Sequence, residues 1–156
     1  ITTMNRYLLV VGVQKGHEEG AEKFVNKLCD WINAHAHEYT ATIASIRVNT
    51  RVDNFERYQH DFSMEDTSVL GYHCDRIVTR EGYGLSENGF KSIPRDAHVD
   101  VVGMNTHSSV YGVALDLFSY GYDFNVLSQW TWCQEGKKVQ EAAIKSLEQA
   151  IGSALK

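Results

Sequence analysis

The segment YLLVVG at residues 7–12 decides the fold, because it places an unbroken apolar and aromatic run directly before a glycine. A short run of this kind is typical of a strand that is buried on both faces in a parallel sheet. The segment therefore predicts a central strand close to the start of the chain, with a loop that begins at Gly12.

Helical and strand patterns alternate after this first strand. Apolar residues recur at helical spacing in three segments, residues 18–37, 108–120 and 136–155. Four further β-type runs occupy residues 41–48, 76–79, 98–102 and 124–127. The alternation predicts right-handed crossovers and an α/β, three-layer Rossmann-like fold with a central, mostly parallel sheet flanked by helices.

The composition favours one compact domain over residues 1–156, because 43% of the residues are hydrophobic and the chain contains only one proline. The 15 basic residues are outnumbered by 20 acidic ones, so we expect no nucleic-acid partner. No apolar run approaches the roughly 20 residues that span a bilayer, and the N-terminus lacks signal-peptide features. We therefore expect no membrane partner and a cytoplasmic location.

The cysteines give no sign of a disulfide framework or a zinc site. Cys29, Cys74 and Cys133 are scattered, odd in number and never at CxxC spacing. We interpret them as free and mostly buried thiols, and we expect neither a metal nor a cofactor.

Three loops are the expected location of function. Open α/β sheets bind ligands at the carboxyl ends of their strands, which directs attention to residues 12–20, 80–89 and 105–109. Residues 49–75 form a long polar and aromatic stretch with weak periodicity, which predicts a functional or interface excursion.

The motifs in these loops carry a family resemblance. LLVVGVQ at residues 8–14 resembles the first-strand motif LLVVDVQ of the isochorismatase-like cysteine hydrolases, the superfamily that includes nicotinamidases. VVGMNTHSSV at residues 101–110 is similar to the family's VVGxxTxxCV segment, and TREGYG at residues 79–84 is similar to its lysine loop. The resemblance implies the isochorismatase-like hydrolase fold for nearly the whole chain.

The resemblance also shows that the reacting residues are replaced. Enzymes of this family use an aspartate, a lysine and a cysteine, and the matching positions here hold Gly12, Arg80 and Ser109. Glycine has no carboxylate to act as a general base, and arginine keeps its proton. A serine hydroxyl needs an adjacent base before it can attack. We therefore expect an impaired hydrolase homologue.

A binding site is predicted to survive at the same positions. A helix that opens at residues 108–110 presents backbone N–H groups and the positive end of its dipole to an anion. Arg80 adds a positive fork, and the missing carboxylate at position 12 removes a repelling charge. A small anionic or planar ligand fits this chemistry. The predicted ligand-binding residues are Arg80, Ser108, Ser109, Gln14, Tyr83 and His107.

Two other functions stay open. One is a hydrolase of amide or vinyl-ether C–N or C–O bonds that uses Ser109 with a base from elsewhere. His107 is two residues away and does not face Ser109 on a helix, which leaves His17, His60 or His73 from other loops. The other is a homo-oligomeric interaction protein, in which residues 49–75 with Trp130 and Trp132 provide aromatic surface. These two tryptophans suit a core or a pocket equally well.

The resemblance places the metal site of nicotinamidases near residues 45–49. Arg47 and Asn49 stand where ligands are expected, and neither suits such a cation, so no metal is implied. The neighbouring pairs His60-Asp61 and His73-Cys74 show no recognised ligand spacing.

Overall fold

The strands of the chain form one five-stranded sheet in the order β3-β2-β1-β4-β5, with every neighbouring pair parallel. The computed structural model describes residues 5–48, 54–60 and 68–156. Its strands are β1 (Arg6–Val11), β2 (Ala41–Arg47), β3 (Arg76–Arg80), β4 (His98–Met104) and β5 (Asp123–Trp132). The prediction of a central first strand is confirmed, because Leu8 and Val10 on one face and Leu9 and Val11 on the other are completely buried.

Helices cover both faces of the sheet, as the alternating pattern predicts. They are α1 (Glu22–His35), α2 (Glu87–Lys91), α3 (Ser109–Ser119) and α4 (Lys137–Ile151). The short α2 was not predicted, because one turn and a half is too brief to show helical periodicity. No helix in the described part of the chain is long and apolar enough to cross a membrane.

Each face of the sheet has its own apolar core. On one face, α3 and α4 pack against Leu9, Val11 and Val101. On the other face, α1 packs against Leu8, Val10 and Val102 through Val25, Leu28 and Ile32. Successive strand residues point to opposite faces, so one continuous apolar run supplies both cores.

The last strand is longer than predicted. The sequence predicts a strand only over residues 124–127, whereas β5 runs from Asp123 to Trp132. Val101 pairs with Val126 but Gly103 pairs with Thr131, so β5 contains an irregularity between these two pairs. The polar residues of this bulge interrupt the apolar pattern and hide the continuation of the strand. Trp130 and Trp132 therefore lie on a strand of the sheet.

The predicted excursion at residues 49–75 is described only in part. Phe55–Gln59 forms a short π-helical turn, and Val69 makes an isolated antiparallel bridge with Gln14. Residues 49–53 and 61–67 lie outside the described residues, and with them the predictions that concern Asn49 and Asp61.

A polar network joins the amino ends of the central strands. The nearly buried Asp100 accepts hydrogen bonds from Arg6 Nη2 at 3.0 Å and from the Tyr39 hydroxyl at 2.7 Å. Its other oxygen lies 2.9 Å from His98 Nε2, and His98 Nδ1 lies 3.0 Å from Asp123 Oδ2. Burial and the hydrogen bond to Asp100 raise the pKa of Tyr39. Asp100 therefore holds three other groups in place at this edge.

We expect Asp100→Asn to lower the free energy of unfolding by about 2–3 kcal/mol, since the substitution removes a buried charge that three donors face. The melting temperature should fall by about 4–12 °C. Asp123→Asn is the matched control, because its carboxylate is 68% exposed and meets the same histidine. Thermal denaturation of the two variants provides the comparison, and equal melting temperatures would show that Asp100 is not central to the network.

Candidate functional site

The positions that differ from the family motif lie at the carboxyl ends of the strands. Gly12 directly follows β1, and Arg80 is the last residue of β3. The Arg80 Nη2 atom lies 3.5 Å from the point that a Cβ atom at position 12 would occupy. Ser109 begins α3, which follows β4, the strand next to β1. The structure thus places the three substituted positions at the carboxyl ends of the strands. It also brings Gly12 and Arg80 close together.

The backbone at Gly12 excludes a side chain. Its φ angle is +69°, in the left-handed region that favours glycine. A Cβ atom added here would collide with the carbonyl oxygen of Met104. The Met104–Asn105 peptide bond is cis in this structure. An aspartate therefore does not fit at position 12 without a shift of the β1 or β4 backbone.

Two buried arginines lie side by side at this edge. Arg47 and Arg80 are register partners on β2 and β3, so their side chains share one face of the sheet. They are only 6% and 3% exposed. The Arg80 Nη1 atom donates to the Gly82 carbonyl at 2.7 Å, and the Arg47 guanidinium lies 4.0 Å from the centre of the Phe55 ring. Two guanidinium groups therefore lie at the carboxyl ends of these neighbouring strands.

Arg47 is a residue of the site, although the sequence indicates only that it is unsuitable as a metal ligand. The available signal was its position: it ends a β-type run, next to the run that ends at Arg80. Which strands are neighbours, and in which register, follows only from the structure.

The backbone N–H groups at the start of α3 are not all available to a ligand, as the sequence predicts them to be. The helix begins at Ser109 with Ser108 before it, as the predicted span of 108–120 implies. However, the Asn105 carbonyl accepts the N–H groups of both Ser108 and Val110, each at 3.1 Å. The prediction of available N–H donors is therefore wrong for Ser108 and Val110, because the loop before α3 turns its own carbonyl group toward them. In the described residues, no backbone carbonyl outside the helix accepts the Ser109 N–H.

The hydroxyl of Ser109 has no basic partner in the described part of the chain. Ser109 is largely buried. His107 points elsewhere, because its Nδ1 atom lies 3.0 Å from the Sγ atom of the completely buried Cys133. This histidine–cysteine pair was not predicted, since 26 residues separate its members and neither lies in a recognised motif.

The other histidines proposed as bases also have different partners or positions. His17 Nδ1 lies 3.2 Å from the Gly12 carbonyl, and His73 Nε2 lies 3.0 Å from Asp75. A hydrogen bond from the Thr42 N–H lowers the pKa of Asp75. His60 ends the π-helical turn with a φ angle of 58°. None of them bonds to Ser109 within the described residues.

Gln14 fixes the backbone of the site. Its side chain is completely buried, donates to the Arg47 carbonyl at 2.9 Å and accepts the Arg47 N–H at 2.8 Å. Both ends of the amide thus bind the end of β2. The predicted contact of Gln14 with a ligand stays a prediction.

Tyr83 belongs to an aromatic wall next to Arg80. Its ring meets Phe55 edge-on at 5.0 Å, and its hydroxyl accepts from Gln59 Nε2 at 2.6 Å. These residues line a cavity of about 480 Å³ that is completed by Asn54, Tyr58, Glu81 and Gly82. Since Gly82 also accepts the hydrogen bond from Arg80, the cavity opens beside the buried guanidinium.

The thiols are free, as the sequence analysis predicts. Burial raises the pKa of Cys29 to about 11 and also raises that of Cys74. In the described residues, no group of three histidine, cysteine or acidic side chains is arranged to hold a metal ion.

Comparison with solved structures identifies the fold. The structure resembles a nicotinamidase/pyrazinamidase from Bacillus subtilis with a TM-score of 0.76 and 13% identity, over 97% of this chain and 99% of that one. It resembles an isochorismatase-like hydrolase from Alkaliphilus metalliredigens with a TM-score of 0.72 and 14% identity, over 94% and 92% of the two chains. PnC1 from L. infantum, solved in complex with nicotinate, matches with a TM-score of 0.67 and 18% identity over 100% and 97%.

The sequence by itself finds no relative: no family model matches it, and no curated protein does. At these identities the neighbours show the fold and not the activity. The chain has the isochorismatase-like hydrolase fold, as the motifs predict.

We expect Gly12→Ala to lower the free energy of unfolding by about 3 kcal/mol, because the left-handed backbone and the collision with Met104 both oppose a Cβ atom. The melting temperature should fall by about 6–12 °C. Gly82→Ala is the control from the same site: it has open space around it, so it should change stability by less than about 1 kcal/mol. An unchanged melting temperature for Gly12→Ala would mean that the site can accept a side chain here.

Proposed function

We propose that the chain is a member of the isochorismatase-like hydrolase superfamily that binds a small planar carboxylate instead of hydrolysing an amide. One observation carries the proposal: the buried guanidinium of Arg80 lies against Gly12, at the position where the family has its aspartate. A fixed positive charge thus stands where the family places a negative one. With arginine in place of aspartate, the pocket favours a negatively charged ligand.

The hydrolytic chemistry of the family has no equivalent at these positions. With no carboxylate at position 12, no group there accepts a proton from the nucleophile. Arg80 stays protonated and cannot transfer one. Ser109 carries a weak nucleophile, and in the described residues no imidazole or carboxylate bonds to its hydroxyl. Acyl transfer at these positions therefore lacks a general base, a proton donor and an activated nucleophile.

The same groups recognise a carboxylate. A guanidinium presents paired N–H donors that match the two oxygens of a carboxylate, and charged hydrogen bonds of this kind are the stronger ones. Arg47 adds a second positive charge on the neighbouring strand. The Ser109 N–H lies at the amino end of α3, where the helix dipole favours an anion.

The aromatic wall supports a planar ligand. Phe55 and Tyr83 line the cavity beside Arg80, and flat rings pack well against such side chains. The structural neighbour from L. infantum was solved with nicotinate, which is a flat ring that bears one carboxylate. Nicotinate and its neutral amide, nicotinamide, therefore form a matched pair of probes for the charge preference of this site.

We expect isothermal titration to show binding of nicotinate and much weaker binding of nicotinamide. Arg80→Gln should weaken nicotinate binding by about tenfold or more, since it removes a charged hydrogen-bond donor. Arg95→Gln is the control, because Arg95 is an exposed arginine in the loop before β4.

Arg80→Lys provides a second variant in case Arg80→Gln does not fold. It keeps the charge but loses the paired donors, so it should fall between the wild type and Arg80→Gln. Equal affinity for nicotinate and nicotinamide, or full affinity in a folded Arg80→Gln variant, would contradict the proposal.

We also expect no ammonia release from nicotinamide by the wild type or by Ser109→Cys. The added thiol still lacks a base at position 12, so it should not restore turnover by itself. An enzymatic ammonia assay, with an active nicotinamidase as the positive control, measures this. Release by the wild type that is lost in Ser109→Ala would instead support the alternative of a serine hydrolase.

The remaining predictions concern assembly and location. Helix α3 exposes Leu115 and Phe118 at its surface, and Phe118 is 54% exposed. Apolar side chains of this size suit a contact between copies of the chain, which is the predicted homo-oligomer. Assembly and the cytoplasmic location both stay predictions, and neither is needed for carboxylate binding at Arg80.

A further inference from the structure

A groove between α1 and β5 lies on the face of the sheet opposite α3. Its volume is about 560 Å³. The lining combines aromatic rings with basic side chains: Phe24, Trp130 and Trp132 supply the rings, and Lys23 and Lys27 the charges. The carboxylate site at Arg80 uses none of these residues.

Two pairs of stacked rings cross this groove. Trp31 of α1 stacks on Trp130 of β5 with ring centres 5.3 Å apart, and Phe24 stacks on Trp132 at 6.1 Å. The planes within each pair are inclined by only 28° and 26°. Two aromatic stacks, here called rungs, therefore join the helix to the strand, and three of their four rings line the groove.

The groove has room for a small flat ligand, because its volume of about 560 Å³ lies within the range of small-molecule sites. Phe24 on the helix and Trp130 and Trp132 on the strand give such a ligand aromatic contacts on both sides of the groove.

Two lysines of α1 line the same groove. Lys27 lies between Phe24 and Trp31 in the sequence of α1, and Lys23 precedes it by one turn. Both lysines are exposed, and in the described residues neither forms an ion pair. The nearby Glu22 carboxylate accepts the Gly20 N–H at 3.2 Å, so it is directed to the start of the helix. The groove therefore offers positive charge beside its aromatic side chains.

We propose that this groove is a second binding site, specific for a planar aromatic anion. The ring of the ligand packs against Trp130 and Trp132 in the groove, and its acidic group pairs with Lys27 and Lys23. Contact with the aromatic side chains and with the neighbouring cations together selects aromatic carboxylates over aliphatic acids and over neutral rings. This site does not depend on the proposed function at Arg80.

The tryptophans provide a specific signal for this proposal. The chain contains three tryptophans, and Trp31, Trp130 and Trp132 all belong to the rungs or their stack. Trp130 and Trp132 line the groove and Trp31 stacks on Trp130, so two of the three fluorescent rings contact a ligand in the groove directly. We expect benzoate to quench this fluorescence saturably, with the charge-free benzamide much weaker, when excitation is at a wavelength that neither probe absorbs.

Substitutions separate the two sites. The double variant Lys23→Gln/Lys27→Gln should weaken the benzoate effect by about fivefold, as expected for two exposed charges, while Lys145→Gln on α4 should not change it. Trp132→Leu should abolish saturable quenching of the remaining two tryptophans. Arg80→Gln should leave the quenching unchanged even if it removes nicotinate binding, so failure at one site is distinguishable from failure at the other.

Three results would overturn the proposal. The first is quenching that rises linearly with benzoate and never saturates. The second is equal quenching by benzoate and benzamide together with no effect of the double lysine variant. The third is a change in fluorescence with protein concentration alone, matched by dimer formation in size-exclusion chromatography, which would assign the groove to a second copy of the chain.

Discussion

The carbonyl oxygen of Met104 approaches Gly12 so closely that no side chain fits between the ends of β1 and β4. The chain passes this point only because glycine accepts a left-handed φ angle. The same point lies next to the Arg80 guanidinium, which is nearly buried there. The left-handed glycine and the burial of the arginine thus belong to one packing arrangement. An aspartate introduced at position 12 would meet both the backbone and the arginine.

The two faces of the sheet carry different kinds of basic side chain. On the face of α3, arginines lie at the strand ends and Phe55 stacks on one of them, so charge is buried and rigid. On the face of α1, the charges are exposed lysines and the rings carry the packing. Buried arginine favours one defined geometry, whereas exposed lysine tolerates ligands of several shapes. The two faces therefore place positive charge in environments that differ in dielectric and in mobility.

Much of the fold follows from the sequence, because the apolar run at 7–12 and the helical periodicities are local signals. The end of β5 does not, since Ser128 and Gln129 in the bulge resemble a turn. At the site, Gly12, Arg80 and Ser109 were identified by motif, and their place at one edge agrees with the strand order. The neighbour Arg47 and the contact of His107 with Cys133 depend on register and tertiary packing, which no local pattern encodes. The donors at the helix start were misjudged because the Asn105 carbonyl turns back toward them.

The side-chain amide of Gln14 ties the loop after β1 to the end of β2. By bonding to both the N–H and the carbonyl of Arg47, this side chain takes the place of a neighbouring strand at the end of β2. The amide proton of Arg47 is thus shielded from solvent by one side chain and not by the ladder of the sheet. A local opening of the loop after β1 is enough to expose this amide to solvent, because the amide bonds to the Gln14 side chain and not to a strand. The rate of hydrogen exchange at the Arg47 amide would therefore report how often the loop after β1 opens. A ligand that stabilises the closed loop would lower that rate.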